Sequence, residues 1–112
     1  MYMENNFIIG DWNSEEEIGY TQITTFYQDF SIADYFGIKP IKDTFDKVFN
    51  DWKNNYKFLT ELVLVLNKKC WYYYKLDKEF YELYQNLFYE TKDYALENLK
   101  GDELRYFLDK TD

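Results

Sequence analysis

Residues 58–74, FLTELVLVLNKKCWYYY, admit two incompatible structures, and the one they adopt sets the fold class of the chain. The central LVLVL alternates Leu with β-branched Val, and the WYYY end is aromatic; both features favour a strand. The flanks oppose it. Phe58 and Leu59 are adjacent apolar residues and Lys68 and Lys69 adjacent charges, so alternation fails on both sides of the centre. Helical spacing holds throughout, because Leu59, Leu62, Val63, Leu66, Cys70 and Tyr73 form one stripe. Phe58, Leu64, Val65 and Trp71 widen it over most of the circumference, which predicts a central, buried helix over 56–74. Val lowers helix propensity by only tenths of a kcal/mol, less than burial returns.

The same periodicity organises the neighbours. Pro40, the only proline, suits a first helical position, where no amide partner is needed. Ile41, Phe45, Val48, Phe49 and Trp52 then share one face, predicting a helix over 40–53 that Asn54 and Asn55 break and cap. Asp77 caps a third long helix over 78–99, whose buried face runs Phe80, Leu83, Tyr84, Leu87, Phe88, Thr91, Ala95, Leu96 and Leu99. Gly101 supplies a left-handed stop, and Asp102 opens a short last helix. Upstream, residues 24–36 read as one or two short helices ended by Gly37, with Ser31 a cap. Residues 1–24 read as an irregular acidic segment, with a short strand at FII (7–9) and a cap or loop at NSEEE. The expectation is an all-α, single-domain bundle: three longer helices, short flanking helices and an irregular N-terminus, with the helical core over 25–112.

Chemistry finds little to work with. The chain has no His and one Cys, so neither an internal disulfide nor a Cys/His zinc cluster can form. Cys70 lies on the apolar stripe with no His to activate it, and Ser14 and Ser31 sit where caps are expected. The segment DWNSEEE lacks the Gly turn and spacing of a calcium loop, and the four glycines are isolated, which excludes a phosphate cradle. Asn67, inside the apolar run, reads as a core amide that fixes helix register; Trp52 and Trp71 read as core or boundary anchors. These features predict a protein that is not an enzyme and needs no cofactor or metal.

Charge and aromatic content point to surfaces instead. Of the net −8, about −7 falls before the first basic residue, Lys39; the rest sets fourteen acids against thirteen bases. Direct nucleic-acid binding needs the opposite sign. Aromatic residues reach 23%, more than a core of this size easily encloses, so exposed rings are expected; low genomic GC content would produce the same enrichment. No segment resembles a signal peptide or a membrane span, so a cytosolic location is expected.

Four pieces of the chain, in order, carry a family resemblance: FYQDFSIADYFG (26–37), IKDTFDKVFNDWKNN (41–55), FLTELVLVLN (58–67) and YALENLKGDELRYFLDKTD (94–112). Together they resemble a family of short proteins encoded mainly by bacteriophages and prophages, a domain of unknown function. The resemblance covers about three quarters of the chain, leaves out residues 1–24 and implies a phage setting without a mechanism. In that setting the acidic, aromatic-rich character suggests a small binder that occupies a basic host protein in the host cytosol. A nucleic-acid-binding defence enzyme would suit, making the chain an anti-defence inhibitor of the anti-CRISPR kind. The residues expected to meet the partner are Asp11, Trp12, Glu15, Glu16, Glu17 and Tyr20, together with Glu90, Asp93 and Glu97. The last three recur every three or four positions, about 5–6 Å apart on a helix. The alternative is a phage structural or assembly accessory that works by self-association, as a homo-oligomer.

Overall fold

A computed structural model describes residues 20–111, with side chains from Phe26 onward. The expected strand at 7–9, the cap or loop at NSEEE and the cap at Ser14 lie outside the described residues. Five helices follow in order: α1 Tyr20–Phe36, α2 Ile38–Trp52, α3 Tyr56–Tyr73, α4 Lys78–Asn98 and α5 Gly101–Thr111. Among the described residues there is no strand, and the chain is an all-α bundle.

The ambiguous stretch is α3, and it is the centre of the bundle: α3 packs against each of the other four helices. Leu59, Leu62, Val63, Leu66 and Cys70 are buried, with Phe58 and Val65 beside them. Two buried clusters result. The larger joins Phe26, Phe30, Ile41, Phe45, Leu62, Leu66, Tyr84 and Leu87 from four helices. The smaller joins Leu59 and Val63 to Ala95, Leu99 and Phe107. α3 and α4 run antiparallel, since Tyr73 meets Phe80 and Tyr84 at one end while Tyr94 reaches Asn54 at the other.

The caps follow the sequence. The Asn55 side chain accepts from the amides of Lys57 and Phe58, both at 3.1 Å, and Asp77 accepts from the Phe80 amide at 3.0 Å. Gly101 takes φ 60° after α4.

Several expectations are corrected. Residues 20–24 belong to α1, so the irregular segment does not extend to residue 24. α1 is one unbroken helix of 17 residues, nearly the 18 of α3, so four helices are long and only α5 is short. Ser31 sits inside α1 and caps nothing; its hydroxyl is taken up by Lys69 at 3.0 Å. α2 starts two residues before Pro40. The first helical bond runs from the Ile41 amide to the Gly37 carbonyl, so the missing proline amide falls among donors that lack a helical partner anyway. Trp71 is 60% exposed and Leu96 43%, so neither belongs to the core. Trp52 is a boundary anchor, stacked on Phe58 with ring centroids 4.1 Å apart. The Asn67 amide is half-buried and makes no side-chain hydrogen bond among the described residues, so it fixes no register.

Candidate functional site

Successive residues of a helix turn by about 100°, so positions 79, 82, 86, 90, 93 and 97 share one narrow arc. On α4 these are Glu79, Glu82, Asn86, Glu90, Asp93 and Glu97, all exposed, while Tyr84, Leu87, Thr91 and Ala95 form the buried arc opposite. The row spans about 27 Å at 1.5 Å per residue. None of its five carboxylates is in an ion pair among the described residues; the pairs formed are Lys39–Asp43, Lys47–Asp51 and Lys69–Asp34. Lys92, the one base within the span, is half-buried with its ammonium over the Phe88 ring, 5.8 Å from the centroid. Exposed Tyr89 and Leu96 border the row. The structure thus places Glu90, Asp93 and Glu97 together as expected and extends them with Glu79, in the first turn of α4, and Glu82 in the second. Asp11, Trp12, Glu15, Glu16 and Glu17 lie outside the described residues, and Tyr20 is the first residue of α1, its side chain outside them.

A second feature was missed. Lys69 and Asp34 are buried together, their side chains 3% and 8% exposed, with Nζ 2.5 Å from Asp34 Oδ2. The same oxygen accepts from the Tyr73 hydroxyl at 2.7 Å, and Oδ1 accepts from the Tyr84 hydroxyl. Lys69 also donates to Ser31 and lies 4.7 Å from the Tyr27 ring centroid, with the rings of Tyr72, Tyr73 and Tyr84 within 6 Å. Burial, reinforced by the bonds to Asp34, pushes the Tyr73 and Tyr84 hydroxyls well above the usual tyrosine range. Both remain neutral donors. The cluster ties α1, α3 and α4 together and floors a groove of about 610 Å³ between α1 and α3. Spacing could have revealed it: Lys69 follows Leu62 by seven and Leu66 by three, on the core stripe, and a lysine there requires a buried carboxylate.

Rings gather where this groove opens. Tyr35, 86% exposed, and Tyr72 stand on its opposite rims, and Tyr35 shares an adjoining hollow of about 490 Å³ with Phe36, 70% exposed, and Ile32, 55%; Trp71, Tyr74 and Leu76 surround the α3–α4 turn. Cys70 is buried, its Sγ 3.9 Å from the Tyr81 carbonyl oxygen, and burial pushes its thiol up, away from the thiolate a nucleophile needs. Among the described residues no three acids or cysteines are grouped to hold a metal ion, and no helix is long and apolar enough to cross a membrane. Comparison with family models, with curated proteins and with solved structures gives no match.

Proposed function

We propose that this chain is a non-catalytic interaction protein that lays the acidic row of α4 on a basic, nucleic-acid-binding surface of a protein partner and so excludes the nucleic acid. The observation that carries the reading is the row itself: five exposed, unpaired carboxylates on one arc of a single helix, in two groups about 12 Å apart with steps of about 5–6 Å within each. The net charge of −8 supports it, because long-range attraction would steer a basic partner toward the chain. The phage setting implied by the family resemblance makes the partner a host factor in the host cytosol, with a nucleic-acid-binding defence enzyme the best fit, as for an anti-CRISPR-like inhibitor. The acids of the N-terminal segment, Asp11 and Glu15–Glu17, would add to the steering field, and Trp12 and Tyr20 would add contact area.

The test is a pull-down from host lysate with two baits, the parent chain and a variant carrying Gln or Asn at Glu79, Glu82, Glu90, Asp93 and Glu97. A basic nucleic-acid-binding protein should be retained by the parent, released by added DNA or RNA, and lost with the variant. Equal retention by both baits would refute the reading. Self-association as an assembly accessory is the second reading, favoured by the exposed apolar face of α1.

A further inference from the structure

Helix α1 is apolar on two sides. Phe26, Phe30 and Ala33 point into the larger core, whereas Ile32, Tyr35 and Phe36 point outward. A helix at the edge of a bundle needs one apolar face; a second, spaced i, i+3 and i+4, is the pattern that packs against another helix.

The exposed area suits a weak, reversible association. An aromatic side chain carries about 150–250 Å² of surface, so Tyr35, Phe36 and Tyr72 at their exposures present roughly 400 Å², before Ile32 is added. That is at the level where a contiguous patch marks an interaction site, and about half of the roughly 800 Å² per partner of a standard interface. The relief also suits a twofold partner. The Tyr35–Phe36 ridge stands between two hollows: the groove whose far rim is Tyr72, and a cavity of about 310 Å³ lined by Phe36, Pro40 and Val48. A twofold interface needs projection and hollow on the same patch, and this face has both.

Charge selects the same face. Two carboxylates adjoin it: Asp34, which is buried against Lys69, and Asp29, which is half-buried in the smaller cavity with Lys47. Among the described residues the exposed acids without an ion pair lie on α2, α4, α5 and the turn before α4, and none lies on α1. Of the described faces, that of α1 therefore brings the fewest exposed acids together when two copies meet. We infer that the outward face of α1 pairs with the same face of a second copy across a twofold axis, burying Ile32, Tyr35 and Phe36 with Tyr72 at the margin.

Sedimentation equilibrium of the full chain, from micromolar to near-millimolar concentration, tests this. The parent should pass reversibly from monomer to dimer. Tyr35→Ser with Phe36→Ser should weaken the dimer by at least about tenfold, since exposed rings carry most of an interface's energy. Both side chains are largely exposed, so the helical circular dichroism spectrum should be unchanged; Ile32→Ser alone gives a milder version of the same test. The α4 variant described above should dimerise at least as well as the parent, which separates this inference from the proposed partner binding. A chain that stays monomeric throughout, or a dimer that survives the double substitution, would overturn it. A monomer that instead loses a captured partner on Tyr35→Ser would overturn it in favour of a different occupant of the face.

Discussion

Lys69 has exchanged bulk water for tyrosine rings, a serine hydroxyl and one carboxylate, so its partner's identity matters more than its own charge. Removing one member of a buried pair strands the other, at about 3–5 kcal/mol, whereas removing both can be close to neutral. Lys69→Met and Asp34→Asn should each lower stability by that amount in urea unfolding, and the double variant by clearly less than their sum. Sequence reading passes over this pair because a lysine is taken as solvated unless periodicity is allowed to override its type; Leu66 and Cys70, on the same stripe, are legible because type and spacing agree. Asp29 supplies a second residue-scale test. Burial raises its pKa from 3.8 to about 7, against the opposing influence of Lys47. Between those values the folded chain holds a proton that the unfolded chain has released, so stability falls as pH rises through the window. The penalty is complete above about pH 7. Asp29→Asn should therefore be more stable than the parent at about pH 8 and nearly equal to it at about pH 4, measured by thermal unfolding at both.

The joint between α1 and α2 is a single residue. Gly37 has φ 119° and ψ −171°, a region essentially closed to residues with a Cβ, whereas Gly101 at φ 60° lies where other residues occasionally go. A Cβ at either would meet no atom within 4 Å, so substitution tests the backbone alone. Gly37→Ala should cost about 1–3 kcal/mol and Gly101→Ala about 1 kcal/mol, an ordering that chemical denaturation can check. Helices α2 to α5 were legible because Asn55, Asp77 and Gly101 each perform the local role their type suggests. Helix α1 was legible only in part: its helical character over 24–36 and its end at Gly37 were read, but its start at Tyr20 and its continuity were not, because Ser31 argues for a break. Burial of Phe26 and Phe30 carries the helix through that point, and the bond from Lys69 gives the serine hydroxyl a different use.

At the scale of the whole molecule, charge is divided between the described acidic row and the N-terminal acids, and the two can be separated kinetically. Neutralising Asp11, Glu15, Glu16 and Glu17 should slow association with a basic partner and flatten its salt dependence while leaving dissociation little changed. Neutralising the α4 row should speed dissociation as well, because in the proposed complex those carboxylates would touch the partner; stopped-flow and surface-binding traces distinguish the two. Three of the row's five acids were legible from spacing alone. Glu79 and Glu82 were not: Glu79 stands in the first turn, where the helix dipole already gives an acid a reason to be present, and Glu82 is separated from Glu90 by the uncharged Asn86. The division of the interior into two clusters has a further consequence. α5 rests on α3 and α4 through Phe107, its one fully buried side chain, and above Glu61, a buried carboxylate with one oxygen unpartnered. Such a helix can lift away without the larger cluster coming apart, so its amides should exchange with deuterium through a low-energy opening while those of α3 wait for global unfolding. Lys100 and Arg105, exposed at its start, would then be the first bonds a trypsin-like protease reaches, and the lifetime of the chain in a cell would be governed by how often α5 lets go.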